Sequence, residues 1–237
     1  MEPEAGRPRR ATHQPATVPP GGEGARRRAV LAGHVGDPGA AAEAAAHPDP
    51  AVRAAGLGAL ARLGALSADT VVAALGDGDA GVRRRACTLA GPMLAGPAPT
   101  GALVATLVRV LGTDGEWSVA EAAAAALGEA GAMGRGAVVT ALAEAARHHP
   151  EALCREAAVA ALGALAGGDG ASGQGERDVA LAAVLGGLDD KPAVRRRAAV
   201  ALAAFEDPRA DEGLRRCLAD RDWQVRQVAE ELLAPGP

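Results

Sequence analysis

The residues with the strongest chemical character in this chain are three arginine runs: Arg26–Arg28, Arg83–Arg85 and Arg195–Arg197. Clustered guanidinium groups suit phosphate or carboxylate, which they can grip through two parallel hydrogen bonds. The charge balance of the chain as a whole opposes a phosphate backbone. Net charge is −4, and residues 1–28 hold six Arg against three Glu, so the remainder carries −7. General nucleic-acid binding rests on clustered cations that neutralise phosphates, and no nucleic-acid partner is expected here.

Other reactive side chains do not converge. His148 and His149 are adjacent, so on a helix they diverge by about 100° and cannot readily share a metal. His13, His34 and His47 lack a cysteine or carboxylate cluster at ligand spacing, so no metal site is expected. Ser67, Ser118 and Ser172 stand outside any strand–turn–helix context of a nucleophile elbow. Asp189-Asp190, Asp211-Glu212 and Glu230-Glu231 are sequential pairs, splayed on helix ends or solvated faces. The stretch "AGGDGASGQG" (166–175) lacks the Gly-Lys-Ser/Thr ending of a phosphate loop and reads as a flexible connection. No catalytic constellation and no cofactor are expected.

The elements that position these residues repeat. Val52, Val82, Val119, Cys154, Val194 and Val225 can be aligned as anchors. Four residues after them stand Gly56, Ala86, Ala123, Ala158, Ala198 and Ala229. Eight after stand Leu60, Ala90, Leu127, Leu162, Leu202 and Leu233. Apolar residues at 0, 4 and 8 form one stripe of a helix, which a period of two cannot produce. Asp49, Asp79, Glu116, Glu151 and Asp222 lie three before the anchor, where an acid accepts from first-turn amides and faces the positive helix end. Lys191 is the exception, preceded by Asp190. Pro50 and Pro192 follow at the first helical position. Helices are thus predicted to begin near 50, 80, 117, 152, 192 and 223. Each follows another apolar helix: 37–47, 68–75, 101–111, 133–148, 176–188 and 208–219. Residues 24–35 read as the second helix of a partial leading repeat.

Hydrophobic residues make up 49% of the chain but aromatics only 1%, so the core must be built from Ala, Leu and Val. Residues 1–23, rich in Pro, Arg and Gly without periodicity, read as a disordered tail before a solenoid over 24–234. Cys87, Cys154 and Cys217 fall in apolar helical patterns and read as buried free thiols of a reducing compartment. No apolar export segment or membrane-length run occurs, and the expected setting is cytoplasmic. A single lysine against 24 arginines, with the Ala and Gly load, suggests a GC-rich bacterial genome.

"DPAVRAAGLGALARLG" (49–64) and "DPRADEGLRRCLADRDWQVRQVAEELL" (207–233) resemble HEAT repeats of the short type named after phycobilisome lyases. The resemblance spans about 25–233. It implies an all-α, right-handed, armadillo-like solenoid of about six helical hairpins, with second helices lining the concave face and binding of other macromolecules as the usual role. It also implies a ladder of acids and arginines between successive turns. Arg53, Arg83, Arg155, Arg195 and Arg226 stand one after their anchors, with Ala120 the departure. Asp49/Arg53, Asp79/Arg83, Glu151/Arg155 and Asp222/Arg226 are four apart, the spacing of helix neighbours.

Deoxyhypusine hydroxylase, a HEAT-repeat enzyme, carries iron-binding His-Glu pairs at the second-helix starts. The matching positions here, such as Ala54-Ala55 and Glu121-Ala122, hold no histidine. The acidic body and scarce aromatics speak against a HEAT-like DNA glycosylase. The expectation is a non-catalytic scaffold or adaptor for protein partners. The alternative is a subunit of a HEAT-repeat enzyme system, bilin-lyase-like or hydroxylase-related.

Arg84, Arg85, Arg196 and Arg197 are not required by the fold, and two readings stand: salt links between repeats, or a site for an acidic partner. Trp117 and Trp223, two before their anchors, read either as packing over an adjacent turn or as binding hot spots. Deleting residues 1–23 is expected to leave the helical circular dichroism signal intact, and its loss would place the domain boundary elsewhere.

Overall fold

A computed structural model describes residues 22–96, 101–130, 135–167 and 173–234. Thirteen α-helices and one 3₁₀ turn, Gly187–Asp189, make up the regular structure of those residues. The second helices are α3 (Pro50–Arg62), α5 (Ala80–Leu94), α7 (Trp117–Leu127), α9 (Ala152–Gly167), α11 (Pro192–Leu202) and α13 (Trp223–Leu233). Their partners are α2 (Pro38–Ala45), α4 (Ala68–Ala74), α6 (Gly101–Thr113), α8 (Arg135–His148), α10 (Gln174–Gly186) and α12 (Pro208–Cys217). The leading helix α1 (Gly22–Val35) packs on α3 as a second helix would.

Local chemistry sets the starts. Asp49, Asp79 and Asp222 accept from Ala51, Val82 and Gln224 amides, and Pro38, Pro50, Pro192 and Pro208 open their helices. Glu116 occupies the same place without a side-chain cap bond; its extra methylene makes it a poorer cap than aspartate. Gly36 and Gly64 take left-handed φ values of 82° and 67° after α1 and α3, where a side chain would be strained.

Two expected boundaries move. Gly22 and Glu23 belong to α1, so the solenoid starts before residue 24, and residues 1–21 lie outside the described residues. Ala166 and Gly167 finish α9, and Gln174 and Gly175 begin α10. The Gly-rich connection is therefore shorter than 166–175, and its residues 168–172 lie outside the described residues. Alanine favours helix, and glycine in these terminal turns costs only about 1 kcal/mol against it, which does not stop the helix.

The hairpins stack into a right-handed α-solenoid. Second helices pack on second helices from α3 to α13, and first helices form a parallel layer from α4 to α12. All six anchors are buried, and one apolar cluster runs from Val71 to Ala229. Because so many core residues are alanine, backbones approach closely. A Cβ at Gly128 would lie 2.9 Å from the Ala161 Cβ, and one at Gly163 would lie 2.8 Å from that of Ala201. Gly33 meets Ala59 in the same way. These contacts lie between successive second helices, so that layer is the tighter, concave one.

Within the first complete hairpin, a Cβ at Gly56 would lie 2.3 Å from the Ala45 amide nitrogen, a backbone atom that cannot rotate aside. Gly56→Ala should therefore cost about 1–3 kcal/mol through overpacking. Gly78→Ala, which meets open space, serves as control. Thermal melts in which the two variants matched would contradict this close crossing.

Candidate protein-binding face and its scaffold

Residues at −2, +2 and +6 from each anchor fall four apart and share one stripe of each second helix. Side by side these stripes read Pro50, Ala54, Gly58; Ala80, Arg84, Thr88; Trp117, Glu121, Ala125; Ala152, Glu156, Ala160; Pro192, Arg196, Val200; and Trp223, Gln227, Glu231. The floor is mostly small. Thr88, Ala125 and Val200 are exposed, and the Trp117 and Trp223 side chains are 43% and 60% exposed.

The four candidate arginines separate. Arg196 donates from Nη1 to Gln224 Oε1 at 3.0 Å, and Arg197 Nη2 lies 3.6 Å from Glu156 Oε1. Both reach neighbouring repeats, Arg196 through a neutral amide and Arg197 through a carboxylate. Arg85 lies across the preceding helix, where a Cβ at Gly58 would stand 2.5 Å from its Nη2. Arg84 and Arg85 are exposed, and neither pairs with a carboxylate among the described residues. The two tryptophans are not packed away: Trp117 is partly covered, and its carbonyl accepts from the Cys154 thiol at 3.2 Å.

Behind this face runs an ionic ladder. Arg53 donates from Nε and Nη2 to both oxygens of Asp77, at 2.8 and 2.7 Å. Arg83 grips Asp114, Arg155 grips Asp190 and Arg195 grips Asp220 in the same bidentate way, at 2.6–2.9 Å. Each arginine also donates from Nη1 into its own turn: Arg53 to the His47 and Pro48 carbonyls, Arg155 to those of His149 and Pro150. Each aspartate in turn accepts a backbone amide of the turn it occupies, as Asp77 does from Asp79 and Asp220 from Asp222. One guanidinium thus ties two successive turns together. Side-chain exposure of 5–21% places these pairs between exposed ion pairs, at about 0–1 kcal/mol, and buried charge-assisted bonds, at about 1.5–3 kcal/mol.

The ladder corrects the partners inferred from spacing. Asp49, Asp79 and Asp222 do not bind the arginine four residues on; their carboxylates cap their own helices. Nor does Glu151 bind Arg155, which turns to Asp190. An intrahelical pair joins one helix to itself, whereas a planar guanidinium reaching the next turn satisfies two sets of backbone groups. Arg226 donates to the Asp220 carbonyl and grips no carboxylate among the described residues. The acids that matter, Asp77, Asp114, Asp190 and Asp220, carried a visible signal in "DGD", "DGE", "DDK" and "DRD", two residues before the cap in three turns and one before it at Asp190. Buried Arg135 had no such signal; it donates from α8 to the Leu165 carbonyl near the end of α9.

The remaining chemistry is muted. Burial pushes the Cys87 thiol up to about 12 and the Cys154 thiol to about 11, and raises Cys217 as well. His47 and His149 use Nδ1 to accept from the Asp49 and Glu151 amides. In a cleft beside α10 and α12, Arg209 is engaged by Asp178 and Asp207, whose carboxyl it holds at about 2.

The family model for HEAT repeats matches residues 68–163 and 171–234, about two thirds of the chain. Comparison with the curated proteins finds no match. Among solved structures, an engineered protein is similar at 20% identity with a TM-score of 0.61, over 83% of this chain and 97% of that one. The complex of CpcE and CpcF of phycocyanin lyase from Nostoc sp. PCC7120 is similar at 18% identity with a TM-score of 0.55, over 70% and 98%. A designed armadillo repeat protein in complex with the peptide (KR)4 is similar at 16% identity with a TM-score of 0.56, over 89% and 97%.

The hydrogen bonds from the ladder arginines hold the carboxyls of Asp77, Asp114, Asp190 and Asp220 below the ordinary aspartate value of 3.8. A carboxyl depressed in the folded state contributes stability that is complete above its unfolded value and is lost as pH falls through the folded value. The melting temperature should therefore fall as pH drops below about 3.8, and more shallowly when all four aspartates are changed to Asn. Parallel acid profiles for the two proteins would remove the ladder from the stability of the fold.

Proposed function

The chain belongs to the HEAT-repeat family, and on that premise we propose that it is a non-catalytic scaffold holding a segment of a partner protein against its concave face. The observation that carries this reading is the combination on one face of exposed Trp117, a floor of small residues, and two arginines without carboxylate partners among the described residues. Small floor residues let a peptide backbone or helix come close. Trp117 offers apolar contact area of the kind enriched in binding hot spots, and Arg84 and Arg85 suit an acidic side chain.

We leave Arg196 and Arg197 out of this site because Gln224 and Glu156 lie within reach of them. The similar structures include a two-protein complex and a peptide complex, which supports a role in binding polypeptides without identifying the partner. No helix among the described residues is long and apolar enough to cross a membrane. We propose a reducing cytoplasm because Cys87, Cys154 and Cys217 are buried free thiols.

The test is an affinity pull-down from native lysate with wild type, Arg84→Ser/Arg85→Ser and Arg196→Ser/Arg197→Ser, across a salt series. A stoichiometric protein should be retained by wild type and by the second variant, lost by the first, and released as salt rises. Equal recovery by all three would put the site elsewhere. Stoichiometric iron in the purified protein, with no protein captured, would favour an enzyme-system subunit instead.

A further inference from the structure

The ionic ladder is interrupted once inside the stack of complete hairpins, and both ends of the missing rung have changed together. Where the other second helices carry arginine, α7 carries Ala120, and where the other ladder turns carry aspartate, the turn before α9 carries His149. Ala120 is fully buried, so this junction is closed by apolar contact. His149 still holds its turn by accepting the Glu151 amide at 3.2 Å, but nothing from α7 grips its side chain. What joins the helix starts here is the Cys154 thiol donating to the Trp117 carbonyl. A thiol is a weak donor, and apolar contact is non-directional, so neither fixes an angle as a bidentate guanidinium does. At the other end of the same helices, Gly128 touches Ala161 without intervening bulk, forming a pivot.

We infer that the junction between α7 and α9 is a compliant joint dividing the solenoid into two stiffer blocks, α2–α7 and α8–α13. Each block contains two complete rungs: Arg53–Asp77 and Arg83–Asp114 in the first, Arg155–Asp190 and Arg195–Asp220 in the second. On the first-helix layer the same junction carries a cleft of about 330 Å³ between α6 and α8, lined by Val108, Ala141, Glu144, His148 and His149. The apolar cluster runs unbroken through the joint, so the motion is a change of curvature around Gly128 and Ala161 and not a separation of the blocks. The consequence is a concave face whose width can adjust, with Trp117 placed at the bend. The joint itself does not depend on any partner being bound.

Spin labels on the free protein test this. Thr88→Cys with Ala160→Cys spans two junctions including the joint; Ala160→Cys with Glu231→Cys spans two laddered junctions. The native cysteines are buried, with thiols raised above the ordinary value, and wild type supplies the control for background labelling. The distance distribution across the joint should be roughly twofold wider than within the block, as expected of a locally less constrained unit. Arg195→Leu/Asp220→Asn, which removes a rung from the second block, should widen the Ala160/Glu231 distribution toward that of the joint. Equal widths in the otherwise wild-type pairs would overturn the proposal, even if the rung variant failed to fold. An unchanged width in the folded rung variant would overturn the ladder as the source of stiffness. Neither result bears on partner binding, which is measured separately.

Discussion

Scarcity of side-chain volume is the constraint on which the rest of this structure depends. With alanine at so many buried positions and one phenylalanine in the chain, helices can bury enough surface only by approaching until backbone meets backbone. Gly56 against Ala45 and Gly163 against Ala201 mark where that approach reaches its limit. Close crossing recovers dispersion contacts that larger side chains would otherwise supply. It leaves little interdigitation to fix how far one hairpin slides or rotates on the next. The arginine–aspartate rungs supply that missing register, because a bidentate pair bonded to two turns tolerates neither a slide nor a twist.

The fold was largely legible in the sequence because it depends on periodicity. The anchors at Val52, Val82, Val119, Cys154, Val194 and Val225 fix one buried stripe per helix, and acids and prolines fix the first turns to the residue. Helix ends were less legible. Ala166, Gly167, Gln174 and Gly175 carry loop-like composition yet continue helices, because nothing in an Ala-Gly sequence forbids another hydrogen bond. The ladder's donors follow from spacing, whereas its acceptors stand in the acid-rich turns that spacing along a helix does not connect to them. Spacing along a helix identifies neighbours within that helix, while Asp77 and Asp114 meet Arg53 and Arg83 only after two hairpins stack.

The candidate face illustrates the same division. Its stripe at −2, +2 and +6 follows from helix geometry alone, which places Trp117 in line with Glu121 and Ala125. Which arginines remain available does not follow from geometry alone. Arg84 and Arg196 occupy the same repeat position, yet Arg196 has Gln224 within reach on the next helix and Arg84 has no such acceptor among the described residues. A repeat position therefore acquires its role from the neighbouring repeat as much as from its own.

The outer faces of the first and last described helices show how stacking is controlled by single positions. Five residues after the anchor, Leu57, Cys87, Ala124, Val159 and Ala199 are all buried against a neighbouring repeat. On α13 that position is Glu230, exposed and charged, and a further hairpin packed there would have to desolvate its carboxylate. On α1 the corresponding residue is Ala29, buried against Val52 of the next repeat; four residues after the equivalent of the anchor, where the other second helices bury Gly or Ala, α1 carries exposed Arg28. Both faces thus carry a charge where an inner helix carries a small or apolar residue: Glu230 on α13 and Arg28 on α1. A charge at a single repeat position, more than the shape of the helix that carries it, separates a stacking surface from a solvated one.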